Sequence, residues 1–292
     1  MMLAKKEIIK LITDSAKESQ YNYFKVLDRP EEPMWHEPMI GFAKGDDDHF
    51  AFWKKDIGDF HWLPSEAFSL KYKESAIRDS ELTVISICFA QTEETMKDQA
   101  KAEAKPSTRW SASRGEWEPF IRDVCKKATD KMEEYGIRAV AIDLLPEQGR
   151  RLSEQYGPAS TWSHRHAAFV CGLGTFGLSD GLITRQGKAV RFSTIIINKI
   201  IDADQRAYTK HNEWCLYYAK GTCGACIYRC PVGAITKKGH DKALCDQFLQ
   251  VLKGQIDPAI RTDNVDNYYG CGLCQSRIPC QQAVPLIIKE LK

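Results

Sequence analysis

Eleven cysteines are spread unevenly along the 292 residues. Cys88, Cys125 and Cys171 are scattered, whereas Cys215, Cys223, Cys226, Cys230, Cys245, Cys271, Cys274 and Cys280 crowd toward the C-terminus. Soft thiolates concentrated in this way read as metal ligands in a reducing compartment. A disulfide scaffold is the wrong class, because the cysteine density falls well below the roughly 8–10% of such chains. A chain of this length also needs no covalent staples to build a core.

The spacing narrows the metal chemistry. Cys223-Gly-Ala-Cys226-Ile-Tyr-Arg-Cys230-Pro231 is C-x2-C-x3-C-P, the closing part of the run that bacterial ferredoxins use. There the cysteine before the proline turns outward to ligate the other cluster. A complete run would place a cysteine where Lys220 stands, and the nearest replacement is Cys215, within reach through a loop containing Gly221. Counting Cys215 gives the eight thiolates of two 4Fe-4S clusters. Crossed ligation then assigns Cys215, Cys223, Cys226 and Cys280 to one cluster and Cys230, Cys245, Cys271 and Cys274 to the other. Two alternatives stay open here: Cys215 as an ordinary buried cysteine beside Trp214, and zinc ribbons in place of both clusters. Against zinc stand the Cys-Pro after the x3 gap, the following Val232-Gly233-Ala234-Ile235 and the uneven later spacing. Cys88, Cys125 and Cys171 read most simply as core residues.

The elements that position these groups divide near residue 210. Residues 1–209 alternate helix and strand signals, as an α/β-layered or α+β domain should, and residues 210–292 form a second, ferredoxin-like unit. Ile8, Leu11 and Ile12 share one helix face, and Phe120, Ile121, Val124, Cys125, Ala128 and Met132 share another that Gly136 ends. Residues 82–90, 139–142 and 189–198 are β-branched-rich runs expected as strands. Residues 91–116 are polar and without clear periodicity, so they read as a long loop, with 107–117 as a possible cover over a site. Helical periodicity resumes at 284–291.

Composition excludes other classes. With 41 basic against 39 acidic residues and 43% hydrophobic positions, charge alone implies no nucleic-acid surface, and no apolar run approaches the about 20 residues of a membrane span. The charged N-terminal helix lacks the apolar core of a secretory signal, so the expectation is a cytoplasmic protein without a membrane partner.

Gly172, Gly174 and Gly177, with Leu173, Thr175 and Phe176 between them, form a G-x-G-x-x-G that follows a helix-like stretch rather than a strand, which argues against dinucleotide binding. Such glycines let a backbone approach a flat cofactor, or simply form a tight turn. The stretch HRHAAFVCGLGTFGLSDGLIT, followed by a long strand and then the double-cluster module, resembles the epoxyqueuosine reductase and reductive dehalogenase superfamily from about residue 82 onward. The resemblance implies a nitroreductase-like α/β domain holding cobalamin, with residues 172–177 as its contact, and clusters that feed it single electrons. It also implies that the Cys230 cluster faces the active site.

The departures from that family bear on function. Its epoxyqueuosine reductases carry a proton-donating Asp in an Asp-Ser/Thr-Ala-Pro motif, and this chain has no Asp between Asp143 and Asp180. His166 is the expected donor in its place, with a structural, hydrogen-bonded histidine as the plainer alternative. The chain also lacks the twin-arginine signal of respiratory dehalogenases. The expected function is an iron-sulfur, cobalamin-dependent reductase supplied by an external low-potential donor and acting on a small or tRNA-borne substrate. The alternatives are a non-catalytic electron-transfer protein and a flavin-dependent reductase on the same fold.

Overall fold

The computed structural model describes residues 3–73, 76–253, 255 and 270–285. The helix expected at 284–291 lies outside these residues except for its first two positions. The core is built on strand Thr83–Ala90, buried at all eight positions. Met39–Lys44 pairs on one side of it and Val190–Ile197 on the other. Ala139–Ala141 extends the sheet beyond Val190–Ile197, and every pairing is antiparallel.

Strand geometry sends successive side chains to opposite faces, and here both faces are covered. Ile85, Ile87 and Phe89 join Phe42, Ile195 and Ile197 in one core. Helices Lys5–Lys17 and Trp117–Glu134 cover it with the apolar faces read from the sequence. Val84, Cys88 and Ala90 face the other core, beneath helices Asp48–Ile57, Pro64–Tyr72 and His164–Val170. Tyr208, Trp214, Leu216, Ile235 and Val284 belong to this same second core, so the cysteine-bearing segment is packed onto the sheet domain rather than tethered beside it. The mixed elements and several small antiparallel sheets make the chain α+β.

Residues 91–116 depart from expectation. They form helices Glu93–Lys101 and Thr108–Gly115, the second capped by Ser107 Oγ accepting from the Trp110 amide. Their buried positions include Thr95, Gln99, Ala112 and Ser113 beside Met96 and Trp110. A face made largely of small and polar residues leaves no apolar stripe for periodicity to find.

Gly174 shows how tightly the second core is closed. Gly174–Phe176 pairs with Leu182–Thr184, and a Cβ on Gly174 would stand 2.2 Å from the Ile183 carbonyl oxygen. Gly174→Ala should therefore force a backbone shift costing about 1–3 kcal/mol, visible as a lower urea midpoint at unchanged denaturant dependence.

Candidate functional site

The cysteine-rich segment places four thiols around one space. Cys215 precedes helix Leu216–Lys220, Cys226 lies within helix Ala225–Arg229, and Cys223 and Cys280 approach from loops. All four line one cavity whose remaining wall is mostly Leu178, Ile183, Leu216, Ile278 and Pro279. Burial pushes the Cys226 and Cys280 thiols up to about 11. A second foursome is recognisable by its mutual field. Burial and then Cys274 and Cys230 push Cys245 up to about 11, and burial with Cys274, Cys245 and Cys230 pushes Cys271 up to about 12. The Ala234 amide donates to Cys230 Sγ at 3.2 Å. Among the described residues no three His, Cys, Asp or Glu side chains stand close enough to hold a single metal ion. The first four thiols line a space rather than meet at a point.

The short helices at 93–115 support this arrangement from below. Arg229, 8% exposed, donates from Nε to the Ser276 carbonyl at 3.1 Å and from Nη2 to Ser276 Oγ and the Gln99 carbonyl. Gln99 Nε2 donates to the Cys271 carbonyl at 2.8 Å, and Trp110 Nε1 to the Gly270 carbonyl at 2.9 Å. The segment expected as a cover is thus a buttress that holds the Cys271–Cys274 turn.

The scattered cysteines sit in the core, as expected of them. Cys88, Cys125 and Cys171 are each buried, and burial raises all three thiols. At Gly174 and Gly177 of the glycine run, an added side chain would meet protein. Gly172 takes a left-handed φ of 79° after helix His164–Val170. Gly174 abuts the Ile183 backbone, and Gly177 and Gly181 abut Lys188. Leu173 and Phe176 pack against the second core.

His166 lies among aromatic rings. Its ring packs 4.4 Å from Trp53 and 4.9 Å from Phe176, centroid to centroid, and Nδ1 lies 2.7 Å from Ser163 Oγ. Burial, reinforced by His61 and Arg165, pushes the imidazole down to about 3. A ring that stays neutral at physiological pH has no proton of its own charge to give.

The structure brings another pair together. Asp143 stands just past strand Ala139–Ala141, with a side chain 10% exposed, and its Oδ1 lies 3.4 Å from His164 Nε2. Ser193 Oγ donates to Asp143 Oδ2. Burial alone would raise this carboxyl, yet His164 and Ser193 together hold it below the ordinary carboxylate range. His164 Nδ1 lies 2.9 Å from Thr194 Oγ1, which also accepts from Trp162 Nε1. The two ring nitrogens of His164 are thus held between Thr194 and Asp143. Nearby, burial raises Glu118, opposed by Arg114 at 3.7 Å. Arg191 Nη2 is buried without a hydrogen-bond partner among the described residues. Asp143 was legible in the sequence, since Asp143-Leu-Leu-Pro146 keeps the first and last residues of the Asp-Ser/Thr-Ala-Pro motif. The two leucines between them obscured it.

An α+β domain carrying a packed, cysteine-lined segment beside a buried Asp–His pair is the class of protein that fold and site define. No family model matches the chain. It is 33% identical over 109 residues to an epoxyqueuosine reductase of Leadbetterella byssophila, covering 37% of this chain and 33% of the relative. It is 26% identical over 200 residues to the epoxyqueuosine reductase of Bacillus subtilis, covering 68% and 47%. A solved epoxyqueuosine reductase with an epoxyqueuosine-modified tRNA-Tyr stem loop aligns at a TM-score of 0.49 and 15% identity, covering 96% of this chain and 67% of that one. The chain spans less than half the length of these two curated relatives. Over these stretches its sequence is similar to those of epoxyqueuosine reductases.

His166 yields a stability prediction. Its folded value near 3 lies below its ordinary 6.5, so the unfolded chain binds more protons between these values. The contribution is fully present above about pH 6.5 and is lost as pH falls toward 3. His166→Phe should show a smaller drop in urea midpoint between about pH 7.5 and about pH 5 than the unaltered chain; equal drops would contradict the assignment.

Proposed function

We propose that the chain is an oxidoreductase of the cobalamin-dependent reductase class, passing electrons through two 4Fe-4S clusters to a cofactor in a nitroreductase-like domain, residues 1–209. Residues 210–292 form the ferredoxin-like unit that holds the clusters. The observation that carries this reading is the cavity lined by Cys215, Cys223, Cys226 and Cys280. Buried thiols in an apolar wall are poor ligands while protonated, and a metal core that displaces their protons relieves them of that cost. Cys215 then supplies the corner that the run's missing cysteine would otherwise occupy.

The other foursome, Cys230, Cys245, Cys271 and Cys274, is proposed to face the reaction site. Arg165, on the same helix as His164, lowers the Cys245 thiol. The cysteine's helix Lys242–Lys253 is also tied to the sheet domain by Arg150 on Asp246 at 3.0 Å. Cobalamin enters through similarity to the epoxyqueuosine reductases, and no described residue is assigned to it. When bound, a corrin supplies the electron-transfer chemistry that side chains cannot. The chain's own contribution is proposed at the Asp143–His164 pair: ionised Asp143 orients the imidazole, and the pair is the place where a proton would be held for transfer. His166 is left a structural role.

The substrate class follows the relatives, a small or tRNA-borne oxidised group, with electrons from an external low-potential donor and a cytoplasmic setting. Among the described residues no helix is long and apolar enough to cross a membrane.

Two experiments test the reading. Anaerobic reconstitution with iron and sulfide should give about eight irons per chain, and Cys215→Ala should lose about half of them. A colourless product without iron would overturn the redox assignment. Incubation of the reconstituted protein with cobalamin or flavin, followed by desalting and a visible spectrum, separates the reductase from its alternatives. A retained corrin supports it, a retained flavin replaces the cofactor, and clusters alone leave an electron-transfer protein. In the corrin-retaining case, Asp143→Asn should lower turnover of an epoxyqueuosine-bearing stem loop by about 10²–10⁴-fold at unchanged iron content.

A further inference from the structure

The cavity between Cys215, Cys223, Cys226 and Cys280 has one cationic side chain in its wall, Lys188. The residue is 2% exposed. Its backbone amide donates to the Gln281 carbonyl at 3.1 Å, one residue beyond Cys280, so the lysine and that cysteine are held by the same contact. Its ammonium donates to a neutral acceptor, Ser179 Oγ. A buried ammonium is costly unless a negative group balances it. The groups that share its cavity are the thiols of Cys215, Cys223, Cys226 and Cys280, which become negative charge beside it once they bind a metal core.

Two glycines border this side chain. A Cβ on Gly181 would lie 2.5 Å from Lys188 Cε and 3.2 Å from Cγ, and a Cβ on Gly177 would lie 3.0 Å from Nζ. Neither glycine has a left-handed φ. Backbone conformation therefore does not require glycine at either position; at Gly181 the space taken by the lysine stem does. This accounts for Gly181, just beyond the G-x-G-x-x-G run.

We infer that Lys188 is a fixed counter-charge that raises the reduction potential of the cluster held by Cys215, Cys223, Cys226 and Cys280, and that Gly181 is glycine in order to seat it. The inference rests on the two-cluster reading above. An iron-sulfur cube bound by four thiolates is an anion that gains one further negative charge when an external reductant supplies an electron. A cation held beside it in apolar surroundings stabilises the reduced state more than the oxidised one. No bond is made or broken, and the lysine keeps its proton throughout.

The test is a redox titration of the reconstituted full chain with dithionite, followed by electron paramagnetic resonance. Lys188→Met should make one of the two clusters at least tenfold harder to reduce, a fall of about 59 mV for one electron, and leave the other cluster unmoved. Lys188→Arg should stay near the unaltered value. Unchanged potentials in Lys188→Met at full iron content would overturn the inference, as would an equal fall in Lys188→Arg, which would make shape rather than charge the cause. If Lys188→Met fails to assemble its cluster, Gly181→Ala decides, since it keeps the lysine but crowds its Cε. A lowered potential there supports the inference, and an unchanged one overturns it. An unaltered chain that takes up no iron instead overturns the two-cluster reading.

Discussion

Desolvation of sulfur is the constraint on which the C-terminal part of this molecule depends. Cys226 and Cys280 share a cavity walled by Leu178, Ile183, Leu216, Ile278 and Pro279, and burial there opposes their ionisation. Thiolates become stable there only if positive charge comes to them, from a metal core, from a lysine, or from both. The same wall that raises the free thiols would shield a bound cluster from water, and exposure to water is one of the quantities that sets a cluster's potential. Burial is thus a liability for the empty protein and a tuning device for the loaded one.

The fold meets this constraint by sharing one core between sheet and cysteines. Trp214 and Leu216 pack with Phe192 and Ile196 of the sheet. The Trp214 amide donates to Thr175 Oγ1 at 2.9 Å inside the glycine-rich hairpin. Arg229 ties the other side of the segment to Ser276 and Gln99. A segment so anchored shares its core with the sheet domain, which lowers the ordering entropy that metal binding must overcome relative to a small domain that folds around its ion.

The strands at 82–90, 139–142 and 189–198 and the two long amphipathic helices were legible in the sequence, because burial of a full face leaves a period that can be counted. Helices Glu93–Lys101 and Thr108–Gly115 were not, since their buried faces are polar and are satisfied by partners distant in the chain, as when Gln99 donates to the Cys271 carbonyl across 172 positions. The division of the cysteines into two foursomes could be proposed from spacing alone, because ligand spacing reflects loop geometry. The glycine run is ambiguous for a physical reason. Its pattern records that side chains are excluded, but not whether a cofactor or the protein itself excludes them. At Gly174 the excluding group is the Ile183 carbonyl, and at Gly181 it is the stem of Lys188.

The proton-handling side chains differ for a related reason. His164 and His166 are two residues apart at the start of one helix, and so they point to different surroundings. His166 turns into a pocket of Trp53 and Phe176, where a charged ring would lose its hydration and gain no counter-ion. His164 turns toward the end of the sheet, where Asp143 accepts from Ser193 as well. A carboxylate supported by two donors stays ionised despite its burial. The division of labour between the two histidines follows from which one meets Asp143, a matter decided by the turn after strand Ala139–Ala141 and not by either histidine's own place in the sequence.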